Sequence, residues 1–213
     1  MLAASRKEKI DDRVAIAETV GLQAKIMDIE SYAARAAISR LIELQTNAGR
    51  DQIFALFQIG AKITYISILL NGEVIYERDQ QFGGNQLTQD IIRNYGLSFE
   101  EAEVKKKLGD LPDSYEAELL EPFLESASLE VTRAIQFFFT STPFTRVDQI
   151  YLAGGCAVIP GLVDIVAEKT KISASVVSPF KGMDLSSNVS EKLLRSDAPS
   201  YLVACGLAMR RFG

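Results

Sequence analysis

The chain has 213 residues, of which 47% are hydrophobic and 24% charged; its net charge is −5 and it contains no histidine. This composition is that of a globular protein, and the negative charge gives no chain-wide attraction to nucleic acid. The lack of histidine excludes Ser-His and Cys-His catalysis and histidine-bound zinc.

The N-terminal part predicts a helix, a strand and a second helix. Residues 6–21 place apolar side chains at helical spacing and end at Gly21, a residue suited to a helix C-terminus. Residues 23–30 have the pattern of a short strand. Ser31 is then expected to cap an alanine-rich helix over residues 32–45.

Three β-rich runs follow a polar break. Residues 52–59, 62–70 and 73–80 are separated only by Gly-Ala and Asn-Gly pairs. Such short, glycine-containing connections predict a three-stranded antiparallel meander.

The middle of the chain predicts three helices. They cover residues 82–96, residues 98–109 with Ser98 as the cap, and the long stretch 111–141. Pro122 is expected to interrupt or restart the third helix, because proline cannot sit inside a regular one.

The C-terminal part alternates again. Residues 148–154 predict a strand, residues 160 to about 169 a helix and residues 173–179 a strand; a polar segment without regular structure and a closing helix over 198–211 follow. Alternating helices and strands define an α/β fold.

Neither a membrane span nor a signal peptide is expected. No apolar run reaches the ~20 residues that a spanning helix needs, and the N-terminal segment becomes charged from Arg6 onward. Cys156 and Cys205 are far apart in sequence and lack metal-ligand spacing, so two reduced thiols in a cytoplasmic protein are predicted.

Two glycine turns are the candidate ligand-binding features. At Gly60 one strand ends and another follows at once, so the hairpin amides could face a cleft and hold phosphate oxygens. At Gly154 and Gly155 a strand runs toward a helix near Pro160, and bare backbone there could approach a flat ligand. Each motif also has a purely structural interpretation: the Gly60 motif as a tight turn, and the Gly154-Gly155 motif as close strand-to-helix packing.

Three long stretches carry a family resemblance. Residues 82–112 (FGGNQLTQDIIRNYGLSFEEAEVKKKLGDLP), 130–162 (EVTRAIQFFFTSTPFTRVDQIYLAGGCAVIPGL) and 197–212 (DAPSYLVACGLAMRRF) resemble the actin-like ATPase superfamily and, within it, the PilM family of type IV pilus assembly proteins. The resemblance implies an actin-like, ribonuclease H-like α/β fold whose second half is complete and whose first half is largely missing.

The resemblance also implies a nucleotide site. Gly60, with Ala61 and Thr64, would form the second phosphate loop, and Gly154, Gly155 and Cys156 the adenosine motif. Glu103 and Lys106 match a helix that contacts adenine and ribose in relatives, since i and i+3 share one face. Lys105 or Lys107 could take the place of Lys106, and a solvated ion pair is the alternative reading.

ATP or ADP with Mg²⁺ is the cofactor that the family implies, although this fragment could fail to hold it. The family usually has an aspartate two residues before the hairpin glycine, where it organises magnesium. Gln58 occupies that position and cannot supply the charge. We therefore expect no catalytic and no metal-binding residue, and a scaffold with at most weak ATPase activity.

The resemblance divides the chain into four parts. Residues 1–30 would be a remnant of the inserted subdomain, 31–48 the connecting helix with a remnant of the first domain, 49–200 the second actin-like domain (subdomains 2A and 2B), and 201–213 a closing helix. We expect uncovered apolar faces on residues 32–42 and on the closing helix, and hence self-association.

The implied function is assembly of the type IV pilus and twitching motility. The chain would dock the N-terminal cytoplasmic tail of PilN and contact other pilus assembly proteins. It would lie in the cytoplasm and be held at the inner membrane by these partners. It would neither bind nucleic acid nor insert into the membrane. One alternative is an FtsA-like division protein, which the lack of a membrane-targeting helix after the closing helix disfavours. A sugar or acyl-phosphate kinase would need a base such as Asp79 or Asp148, and a pure interaction module would bind no nucleotide.

Overall fold

The computed structural model describes residues 4–210, and a five-stranded mixed sheet forms its centre. The spatial order of the strands is β3-β2-β1-β4-β5. The strands are β1 (Ile53–Ile59), β2 (Thr64–Leu70), β3 (Glu73–Gln80), β4 (Gln149–Ala153) and β5 (Ala174–Val176). The first three pair antiparallel as a meander, whereas β4 runs parallel to β1 and β5 parallel to β4.

Eight α-helices lie within residues 4–210, and all except the first, which has no buried residue, bury residues or pack near the sheet. They are α1 (Lys7–Thr19), α2 (Glu30–Glu43), α3 (Asn85–Tyr95), α4 (Phe99–Leu108), α5 (Glu121–Ser141), α6 (Leu162–Thr170), α7 (Glu191–Asp197) and α8 (Leu202–Ala208). A 3₁₀ turn over Gly155–Val158 connects the end of β4 to the segment before α6.

The two faces of the sheet carry separate cores because side chains alternate along each strand. On β1, Ile53, Ala55, Phe57 and Ile59 pack into the larger core, which includes residues of α3, α4, α5 and α6. The intervening Phe54 and Leu56 face α2 and α8 in the smaller core. Gln58, two residues after Leu56, faces the same side of the sheet as Phe54 and Leu56.

The alanine-rich helix α2 crosses α8 at very short range. A Cβ built on Gly206 of α8 would overlap the carbonyl oxygen of Ala33 on α2. Ala33, Ala34 and Ala37 are buried. Small side chains let the two backbones approach, so each helix covers much of the other. The expectation of uncovered apolar faces is therefore wrong for the faces that meet, whereas Tyr32 of α2 and Leu207 of α8 do remain exposed.

A further group of exposed apolar side chains lies on α1 and the segment after it. No residue of α1 is buried. Ile16, Val20, Leu22 and Met27 are each between 48% and 69% exposed. The predicted self-association remains a prediction.

Three local predictions differ from the structure. Residues 23–29 pair with no strand, and a strand without hydrogen-bonded neighbours is not stable. Helix α2 begins at Glu30 after an extended Ile29, so Ser31 is not its cap. The segment predicted to be irregular contains α7, whose start is capped by the Ser190 side chain accepting from the Leu193 amide.

The other elements confirm the sequence reading. Ser98 and Glu101 form a reciprocal capping box at the start of α4. Pro122 lies in the first turn of α5, directly after a π-helical turn over Glu116–Leu120. The terminal predictions extend over residues 1–3 and 211–213, which lie outside the described residues. No helix within residues 4–210 is both long and apolar enough to span a bilayer.

Candidate functional site

The backbones of β1 and β4 are in direct contact where these two strands end. Gly154 has φ +86°, which side chains rarely adopt, and a Cβ on it would overlap the carbonyl oxygen of Ile59. The two glycine turns found in the sequence are therefore neighbours. We call the close contact of Gly60, Gly83, Gly84 and Gly154 the glycine junction.

Helix α3 starts directly on the β1–β2 hairpin. The Gly84 amide donates to the Gly60 carbonyl (3.0 Å) and the Asn85 amide to the Ala61 carbonyl (2.8 Å). A Cβ on Gly83 would lie 2.6 Å from the Ala61 carbonyl. The hairpin carbonyls therefore satisfy the first amides of α3, which are not free to bind an anion.

The hairpin amides divide into two groups. The Gly60 amide donates to the Ile63 carbonyl (3.0 Å) and is used within the turn, so the expectation of an open nest is wrong for Gly60. The amides of Ala61 and Lys62 donate to no partner within residues 4–210, and both residues are exposed. These two amides are the donors that the turn leaves for a ligand.

Thr88, Glu103 and Lys106 form a polar cluster beside the junction, the Lys106 network. The Lys106 ammonium donates to the Glu103 carboxylate (2.5 Å) and to the Thr88 hydroxyl (2.6 Å). The Thr88 hydroxyl also contacts Glu103 and lies 3.1 Å from the Gly84 carbonyl. The network is thus tied to the first turn of α3.

Of the three consecutive lysines, the middle one turns inward. The Lys106 side chain is 17% exposed. Lys105 instead pairs with Asp110 (2.7 Å), and Lys107 is exposed. The structure therefore favours Lys106 over its two neighbours as the lysine at the candidate site.

Electrostatics connects the network to the adenosine-motif turn. Burial by itself raises the pKa of Glu103, but hydrogen bonds from Lys106 and Thr88 and the charges of Lys106 and Lys107 outweigh it and hold the pKa below its usual value of 4.5. Burial raises the pKa of the Cys156 thiol above its usual value of 9.0, and the charge of Lys106 partly opposes this. Lys106 is thus close enough to act on Cys156.

The remaining predicted residues differ in accessibility. The Cys156 thiol is buried and donates to the Gly60 carbonyl (3.4 Å). Thr64 is buried and donates to the Phe82 carbonyl (2.9 Å), so its hydroxyl faces the protein interior. Gly155 is exposed, and a Cβ on it would meet only the Ser200 hydroxyl, at 3.9 Å.

The structure therefore brings Gly60, Ala61, Glu103, Lys106, Gly154, Gly155 and Cys156 into one neighbourhood and places the Thr64 side chain beneath it. The sequence reading missed Thr88, Gly83 and Gly84 as members of this neighbourhood. Thr88 is buried on an otherwise apolar face of α3. A lone buried threonine beside Leu87 and Ile91 is the signal that could have indicated it.

Of the two acids considered for a kinase, Asp148 lies away from the junction. The Asp148 carboxylate accepts from the Ile53 amide (2.7 Å), at the opposite end of β1 from Gly60, and lies 3.5 Å from Arg146. Asp79 is exposed on β3, directly opposite Tyr65 of β2. Asp148 thus caps a strand, and its position does not suit a cleft base.

Comparison with solved structures defines the class of fold. A PilM-PilN type IV pilus biogenesis complex matches with a TM-score of 0.82 at 21% identity, covering 97% of this chain and 58% of the matched chain. Ethanolamine utilization protein EutJ from Carboxydothermus hydrogenoformans matches at 0.64 and 19% identity, covering 97% and 62%. MreB 5 of Spiroplasma citri bound to AMPPNP matches at 0.60 and 17% identity, covering 97% and 65%. The fold is that of the actin-like ATPases.

The family follows from a separate comparison. The family model described as type IV pilus assembly protein PilM matches residues 1–212. The chain therefore belongs to the PilM family of type IV pilus assembly proteins. It spans 58% to 65% of the length of the three solved chains.

Proposed function

We propose that this chain acts in type IV pilus assembly as an actin-like scaffold that holds an adenine nucleotide at the glycine junction and docks the N-terminal cytoplasmic tail of PilN. Membership of the PilM family and the fold shared with the PilM-PilN complex support the scaffold role. Contact with PilN and with other pilus assembly proteins would keep the chain at the inner membrane. In the proposed division, residues 49–200 form the second actin-like domain.

Gly155 is the observation that carries the nucleotide proposal. Its neighbour Gly154 must be glycine because of its positive φ and its contact with Ile59. Gly155 has neither a positive φ nor a close neighbour, and it is exposed. Packing does not explain a second glycine there, whereas a flat ligand lying on the backbone does.

The proposed role of each residue follows from the hydrogen-bond donors, charges or exposed backbone that it offers to a ligand. The amides of Ala61 and Lys62 would donate to phosphate oxygens. The backbone at Gly155 and Cys156 would lie against the adenosine. Lys106 and Glu103, of opposite charge and half-buried, would take the ribose and base after giving up part of their mutual contact.

Turnover is not the proposed role. Gln58 is a neutral amide where the family places the aspartate that organises magnesium, and metal-assisted hydrolysis depends on such charge. We propose that nucleotide and partner shift the relative populations of conformations rather than drive rapid hydrolysis.

A titration with fluorescent ATP, with and without Mg²⁺, tests the nucleotide site. Gly155→Val adds bulk toward open space, so it should leave the unfolding midpoint unchanged while weakening binding about tenfold or more, equivalent to about 1.4 kcal/mol. Ala36→Val, on an exposed position of α2, is the matched control and should bind as the wild type does. Equal affinity for the wild type and the two variants would mean that the nucleotide binds elsewhere. The absence of saturable binding would mean that the chain is an interaction module that binds no nucleotide.

The PilN proposal is tested separately with a synthetic peptide of the PilN N-terminal tail. We expect saturable binding by calorimetry and none for a peptide of the same composition in scrambled order. Equal heats for the two peptides would contradict the docking proposal without bearing on the nucleotide site.

A further inference from the structure

A cavity of about 400 Å³ lies at the opposite end of the sheet from the glycine junction, beside the C-terminal half of α2. Its polar lining comes from Ser39 and Glu43 of α2, from Arg50 and Asp51 before β1, and from the Asn71-Gly72 turn between β2 and β3. Strand β1 separates the cavity from the junction: it has seven residues, and at about 3.3 Å per residue its two ends are about 20 Å apart. No residue of the proposed nucleotide site lines this cavity.

Ser39 has a buried hydroxyl group without a partner. Its hydroxyl oxygen is shielded from solvent and makes no hydrogen bond within residues 4–210. A serine inside a helix can bond the carbonyl four residues earlier, and buried hydroxyl groups are normally paired. Because Ser39 lines the cavity, a donor bound there would give its hydroxyl oxygen the missing partner.

The groups around Ser39 create a negative potential. Glu43 lies one turn further along the same face of α2, and its carboxylate contacts no partner among the described residues. It is also the last residue of α2, where unpaired carbonyl groups and the helix dipole are themselves negative. The Asp51 carboxylate accepts a long hydrogen bond from the Asn71 side-chain amide (3.3 Å) and keeps further acceptor sites. A cation is therefore the favoured ligand.

Arg50 adds one positive charge to the lining and does not neutralise it. Two carboxylates and one guanidinium leave a net charge of −1. Arg50 is exposed, and its guanidinium contacts no group within residues 4–210, so it is not paired with either acid. Two neighbouring arginines are already engaged, Arg146 with the Asp51 carbonyl (2.6 Å) and Arg35 with Glu73 (2.8 Å).

The chemistry of the cavity favours a primary ammonium group over a metal ion. Mg²⁺ and Ca²⁺ take about six or more oxygen ligands. In the part of the chain that the structure describes, no three carboxylate or thiol side chains converge closely enough to share a metal ion. An ammonium group has three N–H donors, which matches the Ser39 hydroxyl oxygen and the carboxylates of Glu43 and Asp51.

The shape of the surface favours a polypeptide over a free amine. The cavity continues into a second one of about 550 Å³, lined by Asn47, Ala48, Arg50 and Asp51, and the two form one groove that shares the last three residues. Asn47, Ala48, Asp51 and Asn71 on its rim have positive φ values of 50° to 58°, a strained conformation that is found at ligand clamps. A small amine would fill one end of this groove, whereas the backbone around a lysine would occupy its length.

We infer that this groove docks a lysine side chain of a protein partner. The lysine ammonium donates to the Ser39 hydroxyl oxygen and pairs with the carboxylates of Glu43 and Asp51, and the partner's backbone lies along the groove past Ala48. The site is independent of the nucleotide proposal, because it lies at the other end of β1 and takes a ligand of opposite charge.

The test is an NMR titration of protein labelled with ¹⁵N-alanine. The Ala48 signal is assigned through Ala48→Gly, because glycine accepts the positive φ at this position. A tripeptide with a central lysine, blocked at both ends, should shift the Ala48 signal saturably. The same peptide with Nε-acetyl-lysine has lost the charge and should not shift it. Equal shifts with the two peptides, or none with the lysine peptide, overturn the proposal.

Smaller probes at equal ionic strength define the ligand class. Methylammonium should shift the Ala48 signal but bind more weakly than the peptide, and tetramethylammonium, which has no N–H donor, should leave the signal unchanged. Methylammonium binding as tight as that of the peptide would assign the groove to a free amine and contradict a protein partner. A saturable shift with inorganic phosphate, or tighter binding of Mg²⁺ than of the peptide, would contradict the ammonium site.

Charge variants locate the effect. Glu43→Gln and Asp51→Asn should each weaken binding of the lysine peptide about fivefold, as expected for partly exposed charge pairs. Arg50→Gln should bind the peptide as tightly as the wild type or more tightly. Glu100→Gln, an exposed charge on α4, is the control and should change nothing. Unchanged binding in both acid variants, or lost binding in Arg50→Gln, would contradict the site.

Ser39→Ala separates binding from folding. Because the Ser39 hydroxyl has no partner in the free protein, its removal should leave the thermal unfolding midpoint unchanged or raise it. The same variant should bind the lysine peptide about threefold or more weakly, as for the loss of one hydrogen bond. A lowered midpoint would show that the hydroxyl is already paired inside the protein, and unchanged peptide binding would show that it does not contact the ligand; either result contradicts its role.

Discussion

The crossing of α2 and α8 and the glycine junction are two regions in which backbone atoms of different segments come into direct contact, and both contacts depend on glycine. At the crossing, Gly206 is buried against Ala33 and leaves no room for a ligand. At the junction, Gly154 is just as crowded, but Gly155 beside it is open. Glycine serves only packing in the first region, and it serves packing and an accessible surface in the second.

The largest effect is expected at the helix crossing. Gly206→Ala would force the Ala33 backbone to move, and overpacking of this kind costs about 3 kcal/mol or more. Urea denaturation measures the loss in the free energy of unfolding. Ala204→Leu, which adds more bulk on an exposed position of the same helix, should change it by less than about 0.5 kcal/mol. A small loss for Gly206→Ala would show that the two helices are not in contact.

A slightly smaller effect is expected at the crowded half of the junction. Gly154→Ala places a Cβ against the Ile59 carbonyl at a φ that side chains avoid, which costs about 2 kcal/mol. The same denaturation experiment measures it. A stability equal to wild type would mean that β1 and β4 do not end in contact.

The Lys106 network distinguishes the junction from the crossing through its pH dependence. Because the folded-state pKa of Glu103 is below 4.5, its contribution to stability is present above that pH and is lost as the pH falls through the folded value. The difference in unfolding free energy between wild type and Glu103→Gln should therefore shrink on acidification. Gly206→Ala should show no such convergence with the wild type. A difference that is constant with pH would mean that Glu103 is not held by Lys106.

The smallest effect on stability is expected at Gly155, and it tests most directly whether this glycine differs from the packed glycines. Gly155→Ala has an allowed φ and no neighbour closer than 3.9 Å, so its unfolding free energy should stay within about 0.5 kcal/mol of wild type. Thermal unfolding without ligand measures this. A loss as large as that of Gly154→Ala would mean that Gly155 is also a packing residue, and the argument for a ligand there would fail.

Regular elements with strong local signals were predictable. The meander was readable because its strands are short, β-rich and separated by glycine turns, and α4 because Ser98 and Gly109 mark its two ends. Residues 23–30 show the limit, since a β-like pattern forms a strand only where another strand offers hydrogen bonds. Helix α7 was missed because its seven residues include no buried one.

The candidate site was only partly predictable for a related reason. Gly60, Gly154, Glu103 and Lys106 were found through motif resemblance, whereas Thr88 entered only through its contacts with Glu103 and Lys106. Side chains that meet only through the packing of two helices leave no fixed spacing in the sequence.

The sequence by itself determined the α/β class, the order of most elements, the absence of histidine chemistry and the positions of the glycines, because these depend on residue type and local spacing. Only the tertiary structure decided which glycines are crowded and which is open, which of three lysines turns inward, and that α2 and α8 cover each other. Those outcomes depend on distances between segments far apart in the chain, which packing sets and local pattern does not.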